Sequence, residues 1–184
     1  MEDESAMREV REGAVGKLEL LFDRHYPGIL RYFQYLTSNR TLSEDLAQEV
    51  FFRVLKYRHT YRDEGKFSAW IYHLARKVSA DHFRKSARTP TPADPADFHD
   101  QADQEPAPDA QAGTTDDLEL MRRALARVSH DHREVLVLAR LQHLNHQEIA
   151  RLLDCSVGAV KVRAHRALKE LREVYFKIRK EAAA

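Results

Sequence analysis

A few side chains near the end of the chain have the chemistry to read a nucleic-acid duplex. In "SVGAVKVRAHRALKEL", residues 156–171, Ala159, Val162, Arg163, Arg166 and Lys169 share one side of a helical wheel. Arginine's planar fork can bridge both acceptors of a guanine in the major groove, and a small apolar side chain can lie against a thymine methyl. Lys161 flanks this face and Ser156 stands at its start, in position to cap the helix. An ordinary solvated basic helix would have a similar composition, so the residues upstream carry the decision. Asn145 with Glu148 three residues on is a capping-box pattern. Ile149, Ala150 and Leu153 face inward, and "DCS" makes a turn. Cap, helix, turn and second helix follow in the register of a helix-turn-helix. The second helix is expected to bury Val157, Val160, Ala164, Leu168 and Leu171. Cys155, core-facing in the turn, reads as a structural thiol.

A second group lies in "SEDLAQEVFFRVLKY", residues 43–57. With Leu46, Val50, Val54 and Leu55 on the buried side, Asp45, Gln48, Glu49 and Phe52 fall together on the opposite side. A phenylalanine among carboxylates, facing away from the core, is either a docking patch or one of the scattered exposed aromatics that proteins tolerate. The ten histidines do not make a metal site. His130 and His132 would face apart on a helix, and His143 and His146 bracket a turn without a third ligand nearby. No glycine-rich phosphate loop and no nucleophile–base pair is present in the sequence, so no catalytic residue, cofactor or metal is expected.

The elements that position these groups are helical throughout. Residues 18–37 place Leu18, Phe22, Ile29, Phe33 and Leu36 on one stripe. The next helix is expected to start after Ser43 as N-cap, and another runs from Phe67 to Lys85 with Phe67, Ile71, Leu74 and Val78 inward. Further helices are predicted near residues 117–127, 131–142, 146–153 and 156–178. Between the two groups, residues 89–116 hold five of the six prolines and almost no large apolar side chain. Such a segment cannot bury enough surface to offset its ordering entropy and reads as a flexible linker. The expectation is an all-α chain with an N-terminal tail (1–17), a helical unit (18–88), a linker (89–116) and a second helical unit (117–180).

Charge follows the same division. The 184 residues have a net charge of +1, but this hides opposed blocks. Residues 26–88 carry 12 basic and 6 acidic side chains, 118–184 carry 14 and 8, and 89–117 carry none and 8. Two basic units around an acidic strip point to nucleic acid more strongly than the total does. The single cysteine rules out an intramolecular disulfide, and the charged start "MEDESAMREV" lacks the apolar run of a signal peptide. A cytoplasmic location without membrane insertion is therefore expected.

The run "SEDLAQEVFFRVL", followed by "KFSAWIYHLARKVSADHFRK", resembles conserved region two of bacterial RNA polymerase sigma factors. Residues from about 117 to 175 are similar to region four of the same family. With only these two regions, the chain resembles the small extracytoplasmic-function (ECF) sigma factors. The resemblance implies bacterial core RNA polymerase as partner, gripped through the β′ coiled coil by region two and the β flap by region four. It implies promoter DNA as the second partner, and a cognate anti-sigma factor as a common regulator. Asp45, Gln48 and Glu49, with Phe52 beside them, match the core-binding surface. Arg62 and Lys66 in the loop "TYRDEGKF", and His73, Arg76, Lys77, Asp81 and Arg84 on the following helix, match the −10 reader. Ser156, Ala159, Lys161, Val162, Arg163, Arg166 and Lys169 match the −35 reader. Trp70 is read as core in preference to a base-stacking platform. The acidic linker would follow the RNA exit path or serve as a passive tether.

Three positions depart from the family pattern. Lys77 stands where many relatives have asparagine, Ser129 replaces a common proline as an expected N-cap, and Asp154 replaces the turn glycine. The competing interpretation is a stand-alone helix-turn-helix regulator, which leaves the carboxylate and Phe52 face without a use and needs a dimer interface matched to a palindrome.

Overall fold

The computed structural model describes residues 2–63, 65–88, 115–142 and 144–182. These residues fall into two compact helical units, one on each side of residues 89–114. Most of the expected linker lies outside the described residues; its last two positions open a helix instead.

The first unit holds α1 (Glu2–Arg11), α2 (Leu18–Thr37), α3 (Arg40–Lys56) and α4 (Phe67–Arg88), with short 3-10 turns at Val15–Lys17 and Arg58–Thr60. Its core joins Ile29, Phe33 and Leu36 of α2 to Leu46, Val50 and Val54 of α3 and to Phe67, Ile71, Leu74 and Val78 of α4. Every one of the expected α4 positions is buried. On α2 the stripe is turned slightly from the expected one: Leu21 is buried, whereas Phe22 is 38% exposed. Phe22 stacks instead on Tyr26, with 4.6 Å between ring centroids, and meets Phe51 edge-on at 4.8 Å.

Two expectations for this unit need correction. Residues 1–17 are not a tail, because α1 packs on α2, α4 and the 58–60 turn and buries Ala6, Met7 and Val10. Its apolar residues are only three, too few to stand out among the charges of "MEDESAMREV". Ser43 is not the cap of α3. The helix begins a turn earlier, where the Asn39 side chain accepts the Leu42 N–H at 2.9 Å. Ser43 is buried in the first turn and donates to the Asn39 carbonyl at 2.6 Å.

The second unit holds α5 (Thr115–Arg127), α6 (His130–Leu136, continued by a π turn over Val137–Leu141), α7 (His146–Leu152) and α8 (Val157–Ala182). The long α8 is the common partner of α5, α6 and α7. The Asn145 and Glu148 capping box forms, and the Ser156 hydroxyl accepts the Ala159 N–H at 3.1 Å. Asp154 adopts the left-handed conformation, φ 49°. The α8 stripe differs from the expected one: Ala167 and Ile178 are buried with Val160, while Leu168 is 40% exposed. Ser129 occupies the N-cap position of α6 without capping it. Its N–H and hydroxyl both reach the Glu170 carboxylate, at 2.9 and 3.2 Å, and His132 binds the same group. Arg133 donates to the Val128 carbonyl at 2.9 Å and to that of Ala126, so a cation closes the C-terminal end of α5 where the helix dipole favours it.

Two substitutions test these local features by thermal unfolding of the full chain. Asp154→Gly removes the cost of a left-handed side-chain-bearing residue and is expected to raise the melting temperature of this unit by a few degrees. Asn145→Ala removes the cap and is expected to cost about 1 kcal/mol.

Candidate docking and nucleic-acid interfaces

Because α3 buries Leu46, Val50 and Val54, its opposite side is left to solvent. Asp45 and Gln48 are exposed there, and Phe52 is 59% exposed, the largest value among the exposed large apolar side chains described. Glu49 shares this side, yet part of its charge is already engaged. Arg53 Nε donates to Glu49 at 2.7 Å, and Arg53 Nη1 donates to Asp81 of α4 at 2.8 Å. Arg84 Nη2 donates to the other Asp81 oxygen at 2.6 Å. Arg53 is the least exposed member of this chain of charges. Burial works against its charge, but the hydrogen bonds to Glu49 and Asp81 outweigh burial and hold the guanidinium above its ordinary value. Asp81 is held below the usual carboxylate range, chiefly by the Arg53 hydrogen bond. Sequence reasoning missed Arg53. The Glu49 and Arg53 spacing is a visible i,i+4 pair, but the Asp81 partner is on another helix.

On α4, His73 and Lys77 are exposed, Arg76 is half-buried and Arg84 is exposed. His73 is pushed down from its ordinary value by burial and by the neighbouring Lys77 and Arg76 charges. The permanent positive charge of this face comes from its lysine and arginines. Arg62 and Lys66 are exposed on the loop that leads into α4, and buried Tyr61 anchors the loop. Tyr61 packs edge-on to Trp70, 5.3 Å between centroids, and to Phe67. Trp70 is half-buried against both rings. The Asp81 carboxylate lies beside these cations but is already matched to two guanidinium groups.

On α8 of the second unit, Ser156, Ala159, Lys161, Val162, Arg166 and Lys169 are exposed and Arg163 is half-buried. Lys169 lies 3.9 Å from Glu173 and so is partly balanced. A shallow cleft is lined by Gly158, Ala159, Val162, Arg163 and Arg166 of α8 and by His132 of α6. His132 was not singled out by the wheel, because a helical wheel contains only its own helix. The cleft pairs small apolar surface with two guanidinium groups, the combination that base edges in a major groove require.

Residues 21–89 match the family model for sigma-70 region 2, and residues 118–171 match that for sigma-70 region 4. The chain is 30% identical over 180 residues to the RNA polymerase sigma factor CarQ of Myxococcus xanthus, covering 96% of this chain and 99% of that one. It is 32% identical over 167 residues to the ECF RNA polymerase sigma factor SigX of Bacillus subtilis, covering 89% and 86%. Its fold is similar to that of the sigma factor RpoE in its complex with the anti-sigma factor NepR from Bartonella quintana. The TM-score is 0.70, with 23% identity over 85% of this chain and 94% of that one. CnrH in complex with the cytosolic domain of CnrY gives 0.69, with 22% identity over 94% and 96%.

The Arg53 bridge is open to test by substitution. Arg53→Ala is expected to lower the melting temperature of the first unit by a few degrees, and Arg53→Lys is not expected to restore it. A lysine is a point charge without the fork that reaches Glu49 and Asp81 together.

Proposed function

The chain belongs to the sigma-70 family of RNA polymerase sigma factors, in its ECF group, and from that premise we propose how its two units divide the work of promoter-specific initiation. The family consists of transcription initiation factors, so the contribution of this chain is binding and positioning; the reaction itself belongs to the polymerase. Region two docks on core polymerase through the outward side of α3. Asp45, Gln48 and Glu49 offer carboxylate and amide acceptors to a basic helical partner, and Phe52 supplies the apolar contact. The observation that carries this reading is the 59% exposure of Phe52 amid these polar groups. A regulator acting without polymerase has no use for such a face.

The basic side of α4 and the loop before it then face the −10 element. Arg62, Lys66, Arg76, Lys77 and Arg84 follow the phosphates, with His73 among them and Asp81 holding Arg84 in place. Strand opening requires capture of an unstacked base, which costs a few kcal/mol and so favours a base that fits. Region four sets α8 into the major groove of the −35 element, with Arg163 and Arg166 to guanine acceptors and Ala159 and Val162 toward thymine methyls. Ser156, Lys161 and Lys169 contact the backbone, where contacts fix register and carry no sequence information. The β flap is the polymerase partner of this unit.

No helix among the described residues is long and apolar enough to cross a membrane. We place the protein in the cytoplasm with the polymerase, under a cognate anti-sigma factor that covers the exposed faces of both units. The residues 89–116 act as the connection that lets both units engage one promoter.

Two measurements separate this from a stand-alone regulator. Asp45→Lys combined with Phe52→Ala is expected to abolish co-elution with core polymerase and promoter-specific transcription in vitro, with the fold retained. A tight operator footprint without core, and no initiation with it, would establish the regulator instead. Arg163→Ala and Arg166→Ala are each expected to weaken −35 recognition by about 1–3 kcal/mol and to leave core binding unchanged.

A further inference from the structure

Helix α1 lies outside the residues that match the family model, which begin at residue 21. Its contacts nevertheless converge on one place. Glu4 Oε1 accepts the backbone N–H of Phe67, the first residue of α4, at 3.0 Å. That amide is one of the four that open a helix without an internal partner, and a carboxylate there also favours the helix dipole. Arg11 Nη1 donates to the Tyr61 carbonyl at 3.3 Å, and Arg8 Nη1 lies 3.4 Å from the Asp63 carboxylate. Three side chains of one helix thus reach the first carbonyl of the 61–67 loop, a carboxylate within it and the amide that ends it.

Helix α1 is itself firmly seated. Met7 and Val10 are fully buried, and Asp3 accepts from Arg24 and pairs with His25 on α2, both at 2.8 Å. The His25 ring in turn lies edge-on to Phe67, with centroids 4.9 Å apart. At the other end of the loop, the Tyr61 hydroxyl is buried and has no hydrogen-bond partner among the described residues. Tyr61 is therefore held by its rings' packing and by its backbone, and the Arg11 contact is on that backbone.

We propose that α1 sets the shape of the 61–67 loop for base selection at the −10 element, with Glu4, Arg8 and Arg11 as positioning residues. This rests on the reading above that the loop, through Arg62 and Lys66, faces that element. A pocket selective for one unstacked base needs its walls held within about 0.5 Å, which favours support from packed elements. Among its described residues, the loop before Phe67 has no helical turn or strand of its own. Helix α1 supplies that support from outside the segment that meets the DNA. Arg8 and Arg11 are then engaged with the loop, so their loss alters discrimination between sequences more than total affinity.

The test uses the full chain assembled with core polymerase, and single-stranded DNA oligonucleotides randomised across the −10 positions as probe. Binding selections give the ratio of the preferred sequences to the pool average, alongside core co-elution and thermal unfolding of each variant. Glu4→Ala and Arg11→Ala are expected to compress that ratio by roughly three- to tenfold, the order of effect of removing one cap or one hydrogen bond. Glu4→Gln is expected to keep it, because the amide oxygen still accepts the Phe67 N–H. Core co-elution and binding of a −35 duplex stay at the wild-type level. If Glu4→Ala does not fold, Arg11→Ala decides alone, since its side chain is partly exposed.

Unchanged discrimination in folded alanine variants overturns the proposal. So does a uniform loss across all sequences with a salt dependence shallower by about one, the signature of a direct phosphate contact. Arg62→Ala and Lys66→Ala separate the two levels of inference. If they reduce discrimination while the α1 variants do not, only the role of α1 fails. If they too leave it unchanged, the loop does not read the −10 element and both readings fall.

Discussion

A helix in a small bundle buries one stripe and must leave the other side to solvent, and this constraint organises both units. Leu46, Val50 and Val54 fix the rotation of α3, and so Asp45, Gln48 and Phe52 have nowhere to go but outward. In the same way, burial of Val160, Ala167 and Ile178 fixes α8 with Ala159, Val162 and Arg166 exposed. These outward faces are therefore set by the core, and each stays in place as long as the apolar stripe behind it is packed. Phe52 is the exception among the large apolar side chains of α3: its exposed ring forgoes the stabilisation that burial would give, on the order of 2 kcal/mol.

Charge then links one helix to the next. Arg53 joins α3 to α4 through Glu49 and Asp81. In the second unit, Glu170 of α8 gathers Ser129 and His132 at the start of α6. Both networks are partly exposed, which keeps the contribution of each ion pair to stability modest, with Arg53 the best covered of the α3–α4 chain. They also fix geometry. Each sets the register of one helix against a neighbour.

This explains which features could be read from the chain alone. Several local features are legible: four α4 core positions, the Asn145 and Glu148 box, the left-handed Asp154 and the outward group on α3. What fails is decided by neighbours. Phe22 and Leu21 compete for one inward slot, and stacking with Tyr26 and Phe51 accommodates the larger ring at the edge. Leu168 and Ala167 compete in the same way on α8, and the close approach of helices selects the smaller residue. Asn39 and Ser43 are both good caps, and the earlier one wins because Ser43 finds partners in the first turn. Helix α1 is invisible because its three buried residues sit among charges whose tertiary partners are distant in sequence, Asp3 with Arg24 and His25, and Glu4 with the Phe67 amide. For the candidate site, residues sharing one helix face can be grouped from the sequence, whereas Arg53 and His132, whose partners are on other helices, cannot.

The division of charge along the chain bears on why two readers are needed. Each helical block carries an excess of six positive charges, whereas residues 89–117 carry eight acids and no base. A modest excess gives each unit weak, salt-sensitive attraction to any phosphate backbone. Tethering converts the second contact into an intramolecular one, and the gain can reach two to four orders of magnitude when the geometry allows both to engage, on the order of 10²–10⁴. The same gain vanishes if the spacing is wrong. A rigid machine that presents the two units at the separation of −10 and −35 thereby supplies selectivity that neither unit possesses alone. Low net charge is an advantage in that arrangement, since it limits non-specific retention on DNA before the polymerase is bound.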